Sequence, residues 1–124
     1  MFILDTSALL EVIRGREPGT EVQKIVGNQP YITTSFTQHE ILVGMKPHEM
    51  QKIGELFNDA DVLAFDSQSS VISSRTFREL RQSGSLINVV DIFIAAICIR
   101  NGGTLVTSDR DFMKIKGLRY ELIN

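Results

Sequence analysis

Short apolar segments alternate with stretches of helical periodicity along the chain, and this alternation restricts the folds that the chain can adopt. Strands are predicted where apolar, β-branched and aromatic residues cluster in runs of three or four. The predicted strands cover residues 2–4, 31–34, 62–65, 104–107 and 120–123. Because strands and helices alternate, the chain is predicted to form a parallel sheet with helices on both faces, in which ligand sites lie at the carboxyl ends of the strands.

Capping residues and a proline mark the starts of several predicted helices. Ser35 and Gln38 form a capping box that starts the third helix, and Pro47 suits the first turn of the fourth. Thr20 can cap the second helix and Asn88 the sixth. Glycines and a proline separate the first helix from the second. The predicted helices cover residues 7–13, 20–26, 36–45, 48–58, 67–83 and 88–100.

Composition excludes several classes of protein. The chain is 43% hydrophobic and 23% charged, which is typical of a globular protein, and we expect residues 1–124 to form a single domain. Its one cysteine, Cys98, excludes an intrachain disulfide and favours a reducing, cytoplasmic location. No signal peptide is expected, and the near-apolar run from Leu86 to Ile99 is too short to cross a bilayer.

Four acids stand where a parallel sheet would gather them. Asp5 follows the first predicted strand and Asp109 follows the fourth. Glu40 lies near the start of the third predicted helix, and Asp91 lies in the first turn of the sixth, within an almost wholly apolar run. Each acid alone is explained by a helix cap or by a favourable position near a helix N-terminus. Together, four like charges at one sheet edge would repel one another unless a cation neutralised them.

This set of acids indicates both the metal and the reaction. Hard divalent cations prefer oxygen ligands, so a site built from carboxylates favours Mg²⁺ or Mn²⁺. Such a site supports the hydrolysis of phosphate esters. His39 and His48 show no spacing typical of a metal site. The net charge of −2 does not decide whether the chain binds nucleic acid, because metal-bound acids would leave a basic surplus elsewhere.

Three sequence motifs, taken in their order along the chain, resemble those of the PIN-domain nucleases. The resemblance covers essentially the whole chain. The motifs are DTSALLE at 5–11, VVDIFIAA at 89–96 and LVTSDRDF at 105–112. In size the chain is similar to the VapC toxins of VapBC toxin–antitoxin pairs. The resemblance implies a three-layer α/β/α PIN-like fold with a central, mostly parallel sheet. It also implies a Mg²⁺- or Mn²⁺-dependent endoribonuclease that cuts single-stranded or looped RNA.

The resemblance also assigns residues to the site. Asp5, Glu40, Asp91 and Asp109 fall on the family's acidic quartet, which binds the metal and catalyses the reaction. Asp111 lies in the same last motif, but Asp109 is preferred because it directly follows the end of the strand.

The family's partners and polar positions follow from the same resemblance. Thr6, Ser7 and Thr107 match polar positions that the family uses near the metal. A cognate VapB-like antitoxin and a homodimer are implied, and predicted helices 36–45 and 48–58 offer apolar surface for the dimer.

Two alternatives remain open. A receiver-type signalling domain also has an acidic Mg²⁺ site on a parallel sheet, but it needs an acidic pair after the first strand and a lysine after a late one. This chain has Asp5-Thr6 and Ser108-Asp109 at those places. A non-catalytic PIN-fold module that binds RNA or protein would share the fold without turnover.

The fifth predicted helix carries a row of three arginines, and the phenylalanines are interpreted as core residues. These arginines either bind the phosphates of a nucleic acid or an acidic partner segment, or they form a solvent-exposed face without a partner. The arginines are Arg75, Arg78 and Arg81. The phenylalanines are Phe36, Phe65, Phe77, Phe93 and Phe112.

Overall fold

Parallel strand pairs form the centre of the molecule in a computed structural model, in which residues 1–15 and 19–124 are described. One sheet has the order β1-β4-β5 and the other pairs β2 with β3. The strands are β1 (Phe2–Leu4), β2 (Ile32–Thr34), β3 (Asp61–Leu63), β4 (Thr104–Thr107) and β5 (Arg119–Leu122).

The two sheets meet side by side through a side chain. The hydroxyl of Thr33 in β2 donates to the carbonyl oxygen of Leu4 in β1, with an O–O distance of 2.6 Å. Thr33 is fully buried, so this bond joins the sheets inside the molecule. The predicted parallel sheet is therefore confirmed as a central layer built from two hydrogen-bonded parts.

Helices cover both faces of this layer. They are α1 (Thr6–Arg14), α2 (Gly19–Val26), α3 (Ser35–Gly44), α4 (Met50–Asp59), α5 (Ser67–Gln82) and α6 (Val89–Arg100). Within the described ranges, none of these helices has the length and apolar character that crossing a membrane requires.

Alternation along the central strands produces the three layers. Ile3 of β1 and Leu105 of β4 point to the face covered by α5 and α6. Leu4 and Val106, the next residues along the two strands, point to the face covered by α1, α2 and α3. All four side chains are fully buried. Because side chains alternate with a period of two, one pair of adjacent strands supplies both cores, and the predicted α/β/α fold is confirmed.

One predicted helix cap is wrong, and another falls on a side chain that the structure does not describe. Thr34, not Ser35, caps α3: its hydroxyl oxygen accepts a hydrogen bond from the backbone N–H of Thr37 at 3.2 Å. Helix α2 begins at Gly19, and the side chain of Thr20, the cap predicted for it, lies outside the described part of the structure.

Other helix ends differ slightly from the prediction. α1 ends at Arg14, and Gly15 follows in a left-handed conformation with φ of 63°, which a residue without a side chain adopts easily. Residues 16–18 of the predicted break lie outside the described part of the chain. Pro47–Glu49 forms a short 3-10 helix, and α4 begins only at Met50.

Two strands are shifted by one residue or more from their predicted positions. The strand predicted at 62–65 is Asp61–Leu63, because its register follows the pairing of Asp61 with Ile32. The strand predicted at 120–123 is Arg119–Leu122. Both are outer strands of their sheets, where pairing on one side sets the bounds.

Candidate active site

Asp5 stands at the carboxyl end of β1, where α1 begins. Asp5 is buried, with 5% of its surface exposed. One carboxylate oxygen accepts hydrogen bonds from the Ser7 hydroxyl at 2.7 Å and from the backbone N–H of Ala8 at 3.1 Å, which caps the helix. The other oxygen accepts a hydrogen bond from the Thr107 hydroxyl. Burial raises the pKa of Asp5 above its ordinary value, although these hydrogen bonds act in the opposite direction.

The carboxyl end of β4 is joined to the same cluster. The Thr107 hydroxyl oxygen also accepts a hydrogen bond from the backbone N–H of Asp109 at 2.9 Å. The Ser7 hydroxyl oxygen accepts one from the backbone N–H of Ser108 at 3.1 Å. Two hydroxyl groups therefore hold the ends of β1 and β4 in one fixed arrangement.

Glu40 reaches this edge of the sheet from α3. It is exposed, and one of its carboxylate oxygens accepts a hydrogen bond from the Thr6 hydroxyl at 3.0 Å. Thr6 is the residue directly after Asp5, so the bond brings the acid of α3 next to the acid of β1.

Asp91 lies in the first turn of α6 and is half-buried. Burial is the largest cause that raises the pKa of Asp91, and the negative charges of nearby acids add to it, so that the pKa reaches about 6 in total. In decreasing order of effect, these acids are Asp109, Asp5, Glu40 and Asp111. A carboxylate responds in this way only to charges that lie near it. The structure therefore brings all four acids predicted for the site to one edge of the sheet, together with Asp111.

Asp109 and Asp111 differ in their surroundings. A carboxylate oxygen of Asp109 accepts a hydrogen bond from the backbone N–H of Asp111 at 2.9 Å, which caps the 3-10 helix Arg110–Lys114. The Asp111 carboxylate lies 3.3 Å from the Lys114 ammonium group and is half exposed. Asp111 raises the pKa of Asp91 less than Asp109 does, and its carboxylate already has a partner cation in Lys114.

This difference gives a testable prediction. Changing Asp109 to asparagine is expected to lower the pKa of Asp91 more than changing Asp111 to asparagine, since Asp109 is the strongest neighbouring charge. Asparagine also caps helices, so the local fold is retained. An NMR titration of the Asp91 side-chain carboxyl carbon measures the effect. A larger drop from the Asp111 change would reverse the assignment of the fourth acid.

The donors of the cluster fit a hard divalent cation, whereas their spacing does not define its position. In residues 1–15 and 19–124, no three His, Cys, Asp or Glu side chains are grouped so that they could hold a metal ion. The donors present are carboxylate and hydroxyl oxygens, the ligands that Mg²⁺ and Mn²⁺ prefer. Mg²⁺ keeps several of its waters and uses only one or two carboxylates, so it does not require a closed cage.

An aromatic cluster beside the acids was missed by the sequence analysis. Phe36, Phe65 and Phe93 contact one another, with ring centroids 4.9 to 5.8 Å apart. The prediction that the phenylalanines are core residues holds for Phe112, which is 1% exposed. It is wrong for Phe65 and Phe93, which are half-buried and belong to neither core cluster of the described residues. No local sequence signal distinguishes Phe93 from the core residues of α6, because that helix is apolar on nearly all sides.

Comparison with known proteins gives consistent matches over most of the chain. The family model described as PIN domain matches residues 2–118. The chain is 33% identical to Ribonuclease VapC3 of Methanocaldococcus jannaschii over 96 residues, which cover 77% of this chain and 95% of that protein. It is 23% identical to Ribonuclease VapC1 of the same organism over 109 residues, or 87% of this chain and 75% of that protein.

Solved structures share the fold at lower sequence identity. The structure of DNA-bound VapBC from Salmonella typhimurium superposes with a TM-score of 0.84 at 24% identity, covering 97% of this chain and 96% of that chain. VapBC2 from Rickettsia felis, bound to a DNA fragment from its promoter, superposes with a TM-score of 0.80 at 21% identity, covering 99% and 98%.

Proposed function

Because the chain belongs to the PIN domain family and is similar to VapC ribonucleases, we propose that it is a metal-dependent endoribonuclease that acts as the toxin of a toxin–antitoxin pair. Its reaction is the hydrolysis of phosphodiester bonds in RNA, and residues 1–124 are a single PIN-like domain. The observation that carries this proposal is the gathering of acids at one sheet edge. There the Thr107 hydroxyl joins Asp5 to the backbone of Asp109, and Glu40 is held beside the same edge by the Thr6 hydroxyl. The charges of these acids also contribute to the raised pKa of Asp91.

Asp5, Glu40, Asp91 and Asp109 are the proposed catalytic residues and ligands of Mg²⁺ or Mn²⁺. When bound, such an ion lowers the pKa of a water molecule and neutralises the charge that develops on the phosphoryl oxygens. The mutual repulsion of the four acids supports this assignment, since a cation among them would relieve it.

The acids of the site are also proposed to position one another and to transfer a proton. Asp5 is fixed by the hydroxyls of Ser7 and Thr107 and by the N–H of Ala8, so its carboxylate keeps one orientation. Asp91 is the proposed general base, because its half-buried carboxylate lies in the first turn of α6 near the other acids of the cluster. Glu40 is exposed at the edge of the cluster and is oriented by Thr6.

The spacing of the acids favours one alternative function. A non-catalytic PIN-fold module that binds RNA or protein needs no metal, and the described acids do not surround a metal position. A receiver-type signalling domain is a weaker alternative, because Thr6 and Asp109 occupy places where that class has an acid and a lysine.

The proposed partners are a VapB-like antitoxin and a second copy of the chain. The solved VapBC relatives support the antitoxin. Exposed apolar side chains on α3 and at the start of α4 supply surface for protein contacts: Leu42 is 44% exposed, Val43 74% and Met50 56%. The proposed RNA substrate and the single buried thiol of Cys98 support a cytoplasmic location.

A purified sample tests the proposed activity directly. We expect the chain with Mn²⁺ to cut a mixed pool of RNA into fragments and to leave it intact in EDTA, because the acids alone cannot activate water at neutral pH. Gel electrophoresis of labelled RNA measures the cleavage. An intact pool with Mn²⁺, in protein whose melting curve shows that it is folded, would support the binding module instead.

A further inference from the structure

Helices α5 and α6 form an antiparallel pair, and an ion pair joins the end of α6 to the start of α5. The Arg100 guanidinium at the end of α6 lies 3.2 Å from the carboxylate of Asp66, which caps the start of α5. Because the two helices run in opposite directions, the last turns of α5 lie beside the first turn of α6. That first turn carries Asp91, an acid of the proposed site.

An open cleft of about 440 Å³ lies between these helices. We call it the α5–α6 cleft. Aromatic rings form much of its wall, and two arginines and three serines complete its polar part. It is lined by Phe65, Ser70, Ser73, Ser74, Phe77, Arg78, Arg81, Val89, Ile92 and Phe93.

The aromatic wall is connected to the acids through shared helices. Phe93 lies two residues after Asp91 on α6, so its ring projects from a different side of that helix. There it contacts Phe65 with a centroid distance of 4.9 Å. Phe93 also stacks on Phe36, with the ring centroids 5.3 Å apart and an interplanar angle of 27°. Phe36 lies on α3, four residues before Glu40. The contact with Phe36 therefore connects the rings of the cleft to the helix that carries Glu40.

The charge of the cleft is positive. Arg78 is exposed, and the Arg81 guanidinium lies 5.6 Å from the centroid of the Phe77 ring, a cation–π arrangement. Among the described residues that line the cleft there is no carboxylate. Arg75, the first arginine of the predicted row, does not line it. The row therefore does not act as one face.

The serine hydroxyls add hydrogen-bond acceptors. Ser73 donates to the carbonyl oxygen of Ser70 at 3.0 Å, and Ser74 donates to that of Val71 at 2.9 Å. Because both hydroxyl hydrogens are used within α5, the oxygen lone pairs are what these groups present to a ligand.

We propose that the α5–α6 cleft is a nucleotide subsite that takes one unpaired base of an RNA strand beside the scissile phosphate, an inference that rests on the proposed function. Aromatic faces stack on bases that have left a helix, and arginines bind the neighbouring phosphates. The acid cluster repels the phosphate backbone, so productive binding needs cations close to it, and Arg78 and Arg81 supply them. A purely apolar partner would leave these two charges without a counterion.

Direct RNA binding tests the subsite without cleavage. Every protein carries Asp5→Asn to block turnover, and fluorescence anisotropy measures the affinity for a short labelled single-stranded RNA over a range of salt concentrations. A second probe has abasic linkers in place of the central nucleotides. The variants are Arg78→Gln and Phe93→Leu, and Arg75→Gln is the matched control on the same helix.

We expect each variant to have its own signature. Arg78→Gln should weaken binding and lower the slope of log affinity against log salt by about 0.7, the value for one phosphate contact on a single strand. Phe93→Leu should weaken binding of the first probe about 5- to 150-fold, the effect of one lost base stack, with the salt slope unchanged. It should leave binding of the abasic probe unaffected, and Arg75→Gln should bind both probes like the parent protein.

Several outcomes would overturn the subsite. One is that Arg78→Gln and Arg75→Gln lower RNA affinity equally. Another is that Phe93→Leu lowers affinity equally for the intact and the abasic probe. A third is that the protein binds no RNA at all. If Arg78→Gln alters the sedimentation coefficient and leaves RNA affinity unchanged, a second copy of the chain occupies the cleft. Melting curves show whether Phe93→Leu is folded, and the exposed Arg78 provides an independent test if it is not. If the binding pattern holds but the wild-type chain with Mn²⁺ cuts no RNA, the proposed activity fails and the subsite stands.

Discussion

Expression of the chain alone is expected to slow the growth of a bacterial host, and Asp5→Ala is expected to remove this effect. Asp5 is the most buried acid of the cluster and has both carboxylate oxygens in hydrogen bonds. Because Asp5 is a proposed ligand of the metal, its loss should remove the ion that activates water and reduce RNA cleavage to the level expected in EDTA. Growth curves after induction, together with RNA cleavage by the purified variant, measure the two effects.

Alanine also removes the cap of α1, at a cost of about 0.5–2 kcal/mol, so two further variants separate chemistry from stability. Asp5→Asn keeps a capping side chain and should be as inactive as Asp5→Ala. Asp61→Asn removes the same charge from an exposed acid at the amino end of β3 and should inhibit growth like the wild type. Co-expression of a small antitoxin encoded beside this chain should restore growth. If the wild type and Asp5→Ala are equally harmless, the toxin proposal is wrong.

Changing Asp91 to asparagine is expected to stabilise the metal-free protein above pH 6 and to abolish its response to Mn²⁺. Because the folded pKa of about 6 lies above the ordinary value of 3.8, folding becomes less favourable as pH rises from about 4 to 6 and Asp91 ionises. The gain for the variant should therefore appear across this window and persist above it. It should be on the order of 1 kcal/mol, allowing for solvent screening of a half-exposed group.

Metal binding should stabilise the wild type by ligand linkage. At a Mn²⁺ concentration of about 100 times Kd, the gain is about 2.7 kcal/mol, enough to raise the Tm of a chain of this size by several degrees. Differential scanning fluorimetry with and without Mn²⁺ measures the shift, which should be nearly absent in Asp91→Asn and retained in Asp61→Asn. Unchanged Mn²⁺ affinity in Asp91→Asn would remove Asp91 from the ligand set.

Local sequence signals were sufficient for the elements that carry the acids. Asn88 caps α6 as predicted, with its side-chain oxygen accepting a hydrogen bond from the N–H of Val90 at 2.9 Å. β1 and β4 match their predicted bounds, since each is a short apolar run that ends at a polar residue. Once these bounds are right, the rule that parallel strands end at one edge places Asp5 near Asp109.

Features that depend on tertiary packing were not predictable in this way. Thr34 and Ser35 are neighbouring hydroxyl residues, and only the backbone geometry decides that Thr34 is the cap. The bond between Thr6 and Glu40 depends on how α1 packs against α3. Apolar character alone also could not show that Phe93 leaves the core, because α6 is apolar on nearly all sides and its sequence does not indicate which side meets solvent.

The hydrogen bond from Thr107 to Asp5 spans 102 positions of sequence, which has a consequence for biosynthesis. During synthesis Asp5 leaves the ribosome well before Thr107, so β1 has no β4 to pair with until that later part of the chain has been translated. A nascent or prematurely terminated chain lacks Thr107 and Asp109 and therefore carries an incomplete set of acids. Under the proposed function, the polypeptide would therefore be inactive until translation has passed β4.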